Sequence, residues 1–447
     1  MRNDNKDSGQ IVLLLAIVLP ILLLFMALAL DGGMAYIAKA KLSKAVDAAC
    51  LTGMKNLWQG EPTAKSLATH IFNANYGTTP PVPGILVTAD SYGNKVVTVT
   101  ATATVPTFFA QPLFQAWNVS DTATATRGKL VMSLVLDRSG SMANNSGWTA
   151  LKTAVPIFIN YFDDTLDSVA MVSYASNAKV NVAIGHNFKT PITTAVSNWA
   201  KTDFVGATFG TGGTYVAPDG PPLTLADNQI LSVPVVAGDN TIRVVVYFTD
   251  GLMNTIQDMF VCYTSSTQKV NALLNYGGYD ADVNGHPEVD SFDPTAGTDW
   301  CPNSGSGYCI GSANSLLAYS SAGRACQNPY NTNVTKFLSQ QSGLQTAITR
   351  ANVTAESQYR GLQTAATMRA ETPGTYIYTI GLGTGVDATF LAKLANDPTS
   401  STYNANLPQG QYFPVPDCTS GTAAKCTQEL QTAFQTIAAK ILLRLTQ

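Results

Sequence analysis

Charge is what this chain has least of. Lys, Arg, Asp and Glu make up 12% of its 447 residues, against a usual fraction of about 25%. The 26 basic and 29 acidic residues leave a net charge of -3. No basic field exists to gather a polyanion, which excludes nucleic acid as a partner. Histidine is equally sparse: His70, His186 and His286 are too scattered to build a catalytic dyad. The patterns G-x-S-x-G, H-E-x-x-H and the phosphate-binding P-loop are all absent, which removes three common enzyme signatures. No period of 20 to 50 residues recurs, so the chain is not a repeat solenoid. Thr, Ser, Asn, Ala and Gly take the positions that Lys and Glu normally fill, a surface suited to display outside the cytoplasm.

What is present begins with an apolar run. Residues 11–30 read IVLLLAIVLPILLLFMALAL, long enough to cross a hydrocarbon core of about 30 Å as a helix rising about 1.5 Å per residue. A secretory signal peptide has a shorter apolar region and a small-residue cleavage site, so the run is expected to be a retained anchor. Pro20 loosens one turn, which membranes tolerate. Arg2 and Lys6 precede the run and Lys39, Lys41 and Lys44 follow it, so the positive-inside count does not fix the orientation. Cysteine usage does. Cys50 stands just beyond the run, while Cys262, Cys301, Cys309, Cys326, Cys418 and Cys426 form an even set in the large C-terminal part with no His spaced for zinc. Disulfides in an oxidising compartment are expected, with Cys418–Cys426 and Cys301–Cys309 the first pairings to test. A single-pass protein of a bacterial inner membrane follows, its C-terminal part in the periplasm or at the cell surface.

Beyond the run, DGGMAYIAKAKLSKAVDAACLTGMKNL continues as a helix with Ile37, Ala40, Ala45, Ala48, Ala49 and Leu51 near one stripe. Thr63 to Asn75 forms a second helix, and Pro80, Pro81 and Pro83 break the chain. ILVTAD, NKVVTVTATATVPTFF and WNVSDTATATR read as strands of a small antiparallel sheet. The leader ending in SGQ, the apolar helix and the segment ALDGGMAYIAKAKLSKAVDAACLTG resemble the N-terminal region of tight-adherence (Flp-type) pilus-assembly proteins. That resemblance implies an envelope anchor related to pilin-like subunits. If Gly9 were a prepilin-type cleavage point, the glutamate that pilins carry early in the apolar segment would fall at Leu14, a departure from the pattern. The expected organisation is a cytoplasmic leader (1–10), a transmembrane helix (11–30), a pilin-like helix with a small sheet (31–127) and an α/β domain (128–447) with an insertion at about 254–341.

The C-terminal part alternates strand and helix. KLVMSLVLD, SVAMVSYAS, AKVNVAI, TIRVVVYFTDG and GTYIYTIGLG read as strands, most of them near-continuously apolar. Helices are expected over WTALKTAVPIFINYFD, Gln345 to Ala370, Asp387 to Asn396 and Thr427 to Leu445. The fold class is therefore α/β, with a doubly wound, mostly parallel sheet covered on both faces. Ligands of such sheets gather beyond the carboxyl ends of the strands. VLDRSGS and VYFTDG both end an apolar strand in a carboxylate, so Asp137 and Asp250 share one rim. The glycine-rich GATFGTGGTY between them supplies Thr214 after a double glycine, with Thr208 and Thr211 as fallbacks. Ser139 and Ser141 occupy alternate positions of one loop. Two carboxylates and three hydroxyls make an all-oxygen set suited to a hard divalent cation such as Mg²⁺. Helix capping by Asp137 and the serines is the plain alternative, but it does not account for Thr214 and Asp250.

The order Asp137-x-Ser139-x-Ser141, Thr214, Asp250-Gly251 resembles a von Willebrand factor A domain with a complete metal-ion-dependent adhesion site. This resemblance implies metal ligation by Asp137, Ser139, Ser141, Thr214 and Asp250. It also implies an open coordination position filled by an acidic group of a partner. Mn²⁺ or Ca²⁺ are alternatives to Mg²⁺. A second constellation, DADVNGHPEVD, spaces Asp280, Asp282, Asn284 and Gly285 as in a Ca²⁺ loop. The twelfth position is Ser291 rather than glutamate, leaving Glu288, Asp290 or Asp293 as substitutes, and a solvated acidic turn fits equally well. The expected function is metal-dependent adhesion within a tight-adherence pilus system, with pilus-assembly components and a carboxylate-bearing protein or matrix ligand as partners. The alternative is a structural part of the pilus machinery. An enzyme is not expected, since ligands are supplied without a general base or nucleophile beside them.

Overall fold

One helix of 49 residues, α1, runs from Asp7 to Lys55, with Pro20, which has no N–H to donate, inside it. The computed structural model describes residues 7–111, 114–144, 146–175, 178–200, 221–236, 238–253, 255–262, 265–275, 288–292, 350–416, 418 and 423–445. From Leu14 to Leu30 the large apolar side chains of α1 stand exposed. This stretch is long and apolar enough to cross a membrane, with a mean hydropathy of 2.7. Its exposure is what an apolar solvent would require, because water would penalise each of these side chains by about 1.5–3 kcal/mol relative to burial.

The chain divides into two compact units, residues 1–128 with 442–447, and residues 129–441. In the first, α1 continues past the apolar run, a 3₁₀ turn follows at Leu57–Gln59, and α2 spans Glu61–Tyr76. Strands β1 (Gly84–Ala89), β2 (Lys95–Pro106) and β3 (Ala116–Arg127) form an antiparallel sheet in the order β1-β2-β3. The repeated Val-Thr and Ala-Thr pairs of β2 explain both faces. Val97, Val99, Ala101 and Ala103 are buried with Leu42, Ala45, Val46 and Ala49 of α1 and Phe72 of α2 in one cluster. The intervening positions build a ladder of exposed cross-strand hydrogen bonds: Thr100 with Thr122 at 3.1 Å, Thr102 with Ser120 at 2.9 Å and Thr104 donating to Asn118 at 2.9 Å. Directly opposed hydroxyls of this kind favour one register of an antiparallel pair. Lys39 of α1 meets Asp121 of β3 at 2.8 Å, and its ammonium holds that carboxyl below its ordinary value.

The second unit opens on β4 (Leu130–Asp137), buried at every residue. Then come α3 (Gly140–Asn144), α4 (Gly147–Ile159), β5 (Ser168–Tyr174), β6 (Ala178–Val182), α5 (Lys189–Asn198), α6 (Pro222–Leu231) and β7 (Ile242–Thr249). Strands β8 (Thr255–Cys262), β9 (Ser265–Asn275) and β10 (Glu288–Phe292) pair in a separate antiparallel sheet, order β10-β9-β8. The chain closes with α7 (Arg350–Ala370), β11 (Thr375–Leu382), α8 (Ala388–Ala395), β12 (Gln411–Val415) and α9 (Ala423–Leu445). The main sheet runs β12-β11-β7-β4-β5-β6, parallel throughout except for β6, which pairs antiparallel with β5. By order of appearance in this sheet that is 6-5-4-1-2-3, the doubly wound arrangement, whose direction of winding reverses between β4 and β7. On one face Val131, Val135, Val245 and Ile377 pack with Leu223 and Ile230 of α6, Met368 of α7 and Leu391 of α8. The alternate residues Met132, Leu134 and Leu136 are fully buried as well, so both faces are covered and the long apolar runs are accounted for.

Three strand features, and the short helices α3, α5 and α6, were not expected from the sequence. β6 is an antiparallel edge strand, β12 exists at all, and the insertion carries strands of its own. β12 contains Pro414, which an edge strand tolerates because its N–H side needs no partner there. Cys418 and Cys426 form the expected disulfide, both buried. Cys50 is free and buried, its Sγ donating to the Val97 carbonyl at 3.3 Å. Cys301 and Cys309 lie outside the described residues. Replacing both Cys418 and Cys426 by Ser is expected to cost about 2.5 kcal/mol, the loop-closure entropy of so short a ring, read as a lower urea midpoint of the full chain.

Candidate metal centre

The reversal of winding falls at the carboxyl ends of β4 and β7, the place where doubly wound sheets bind their ligands. The two strands are neighbours, with Leu136 opposite Phe248, so Asp137 and the Thr249-Asp250 pair stand side by side. Both carboxylates are buried, Asp137 at 3% and Asp250 at 4% exposure. A buried carboxylate needs donors, and Asp137 has them. Its Oδ1 accepts the Ser139 backbone N–H at 2.7 Å, its Oδ2 accepts the Thr249 hydroxyl at 2.9 Å, and the Asp250 N–H approaches the same oxygen at 3.3 Å. The bond from Ser139 to Asp137 closes an Asx-type turn. Arg138 supports that turn, its backbone N–H donating to the Tyr174 carbonyl and its guanidinium lying 5.0 Å from the Trp199 ring centre.

The turn brings both serines to Asp250. The Ser141 hydroxyl donates to Asp250 Oδ1 at 2.6 Å, the Ser139 hydroxyl reaches the same oxygen at 3.3 Å, and the two hydroxyls lie 2.9 Å apart. Three oxygens, two from the segment that follows β4 and one from the residue that follows β7, thus form a closed triangle. Oxygens around octahedral Mg²⁺ sit at about 2.0–2.1 Å, which puts adjacent ones about 2.9 Å apart. The edges of this triangle, 2.6, 2.9 and 3.3 Å, bracket that spacing.

Electrostatics follow from the burial. Desolvation pushes the Asp137 carboxyl above its ordinary range, against the pull of the bonds from Ser139, Thr249 and Asp250. The neighbouring phenols are raised too. Burial, then the proximity of Tyr247 and Asp137, lifts Tyr174 well above its usual value, and burial also raises Tyr247. Their rings stack at 5.5 Å, and the Tyr174 hydroxyl donates to the Phe248 carbonyl at 2.9 Å. Both phenols therefore stay neutral under the rim.

Of the five residues expected at the site, Asp137, Ser139, Ser141 and Asp250 come within hydrogen-bond distance of one another. Thr214, with Thr208 and Thr211, lies outside the described residues. So do Asp280, Asp282 and Asn284 of the second constellation. Glu288 and Asp290 fall in β10, where only the backbone is described. Among the described residues no group of three or more His, Cys, Asp or Glu converges, so any cation here would rely on hydroxyls beside the carboxylate pair. Sequence reasoning missed Thr249 and Tyr174. The signal for Thr249 was a hydroxyl at the last position of an otherwise apolar strand, immediately before the carboxylate.

Residues 9–56 match the family model described as "Putative Flp pilus-assembly TadE/G-like". The match covers nearly all of α1 and nothing of the α/β unit. No curated protein matches the chain. Among solved structures, the PilB minor pilin from Streptococcus sanguinis is 14% identical, with 81% of this chain and 78% of that one covered at a TM-score of 0.37. A von Willebrand factor type A protein from Catenulispora acidiphila is 13% identical over 82% of this chain and 51% of that one, at 0.33. The chain therefore spans about half the length of that second structure. The pilus adhesin SpaC from Lactobacillus rhamnosus GG is 12% identical over 80% of this chain and 34% of that one, at 0.36.

Proposed function

We propose that this chain is a membrane-anchored binding protein of a tight-adherence pilus system, and that its doubly wound unit, of the von Willebrand factor A type, grips an acidic group of a protein or matrix partner through a divalent cation. The observation that carries this reading is the oxygen triangle of Ser139, Ser141 and Asp250 at the point where the sheet reverses its winding. Asp137, Ser139, Ser141, Asp250 and Thr214 are the assigned ligands, for Mg²⁺ first and Mn²⁺ or Ca²⁺ as alternatives. When bound, the ion supplies an electrophilic position that a partner's carboxylate can occupy. The chain's own residues prepare that position. Thr249 and the Ser139 N–H hold the Asp137 carboxylate, the Asx-type turn aims both serine hydroxyls at Asp250, and the covered sheet keeps water from one side. Neutral hydroxyls leave more net positive charge facing outward than a set of carboxylates would.

The anchor is assigned to residues 11–30, with 1–10 in the cytoplasm, the pilin-like region at 31–127 and the binding unit at 128–447 outside the cytoplasm. Support comes from the exposed apolar helix, the pilus-assembly match over residues 9–56 and the Cys418–Cys426 disulfide, which belongs to an oxidising compartment. The role is non-enzymatic. The site pairs its serines with a carboxylate, and His186 is bonded to the Asp167 carbonyl at the far end of β5.

The test is attachment of cells displaying the full chain, with and without EDTA, for the native protein and for the S139A/S141A double variant. Attachment is expected to fall at least about tenfold in EDTA and in the variant, and to return with Mg²⁺ only in the native chain. Attachment unchanged in all arms removes the adhesion role. The family match favours a second reading, in which the cation only ties the β4 loop to β7 within an assembly component. That reading expects the double variant to lose metal-dependent stability while pili and attachment persist.

A further inference from the structure

The Phe108–Ala110 turn of the first unit is built around a buried acid that the proposed binding site does not use. Asp31 follows directly on Leu30, the last residue of the apolar run, and is only 1% exposed. Its Oδ1 accepts the Phe108 N–H at 3.1 Å, and its Oδ2 accepts those of Phe109 at 3.1 Å and Ala110 at 2.7 Å. Three successive backbone donors on one carboxylate fix the turn to a single level of α1. The turn is closed from its other side by the Phe114 N–H on the Ala110 carbonyl and the Thr107 N–H on the Gln115 carbonyl. So held, the turn directs Phe108 and Phe109 outward, 65% and 59% exposed. Two adjacent phenyl rings have no reason to face water, and a tight turn is an expensive place for them.

We propose that the Phe108–Phe109 pair docks into the interfacial layer of the lipid bilayer, so that Asp31 sets the depth at which the small sheet stands on the membrane. This rests on the reading of residues 11–30 as a transmembrane anchor. Continuity with that surface identifies the occupant. The unbroken exposed apolar stretch of α1 ends at Leu30, and the rings are tied to the next residue along. Aromatic and apolar side chains favour this boundary, and Tyr36, 75% exposed one and a half turns further on, suits the same layer. The rest of the sheet points away. Lys39 contacts Asp121 and Cys50 contacts Val97, so α1 runs antiparallel to β2. The opposite turn, at Tyr92, therefore lies about 36 Å from the rings at a strand rise of about 3.3 Å per residue.

The test is photo-crosslinking of the full chain in vesicles of phosphatidylethanolamine and phosphatidylglycerol with tritiated acyl chains, using p-benzoylphenylalanine in place of Phe109, Leu22 or Tyr92 in turn. A lipid adduct at 109 within about threefold of that at 22, and at least about tenfold above that at 92, is the expected result. An adduct at 22 without one at 109 overturns the inference and leaves the anchor standing. No adduct at 22 overturns the anchor reading, and this inference with it. Crosslinking of position 109 to a second polypeptide instead of lipid also overturns it. Adding Asp31→Ala is expected to lower the adduct at 109 severalfold with that at 22 unchanged. An undiminished yield at 109 removes Asp31 from its positioning role. Should that variant fail to fold, the three labelled positions in the native background still decide the inference.

Discussion

Mg²⁺ added at millimolar concentration, about 100 to 1,000 times its dissociation constant, to EDTA-treated protein is expected to raise its melting temperature by about 5–16 °C, and the S139A/S141A variant is expected to show no such rise. The size follows from linkage. Ligand at 100 to 1,000 times its dissociation constant stabilises the folded state by about 2.7–4.1 kcal/mol, and each kcal/mol moves the midpoint of a domain of this size by about 2–4 °C. The variant is informative because the two serines are half-buried and exposed. Their removal therefore leaves little cavity and costs little stability without metal. Asp137 is a poorer choice for this measurement. Removing it strands the Ser139 N–H and the Thr249 hydroxyl, and the fold weakens whatever the cation does. Equal Mg²⁺ shifts in native and variant protein, read by calorimetry, would remove the serines from the ligand set.

The largest loss of stability from a single methyl group is expected at Gly410. Its N–H donates to the Ala395 carbonyl at 3.0 Å where the chain leaves α8 and enters β12. A Cβ at this position would lie 1.7 Å from the Ile377 carbonyl oxygen and 2.7 Å from that of Ala395. Both are backbone atoms of packed elements and neither can swing aside. Gly410→Ala is therefore expected to cost about 3 kcal/mol or more, the upper range of overpacking. The check is the urea midpoint of the purified chain. A midpoint within error of the native value would show that β11 and β12 separate freely, contrary to their five paired residues.

The parts of the fold that follow from burial were the legible ones. β4 and β7 are apolar at nearly every position because both faces of a central parallel strand are covered, and such runs stand out from any neighbour. Their carboxylate ends stood out for the same reason, since a charge where an apolar run stops is unusual. β12 was illegible because five residues with a proline among them carry no periodicity. α5 and α6 were illegible because each has ten residues, short enough to look like loop when threonine, asparagine and proline fill the exposed side. At the site, Asp137, Ser139, Ser141 and Asp250 were found by order along the chain. Thr249 was passed over because a strand-terminal threonine is ordinary, and only the fold turns its hydroxyl onto Asp137.

The long side-by-side run of α1 and the sheet also bears on how the first unit carries load. A tug on Arg127, at the end of β3, against the apolar run that ends at Leu30 acts along the strands. β2 and β3 share twelve register pairs, and their hydrogen bonds lie across that direction. Such a tug slides the strands past one another and strains all twelve pairs together, where a peeling force would open them one by one. The Val-Thr and Ala-Thr repeats that look like low-complexity filler thus set how firmly β2 and β3 would resist such a pull.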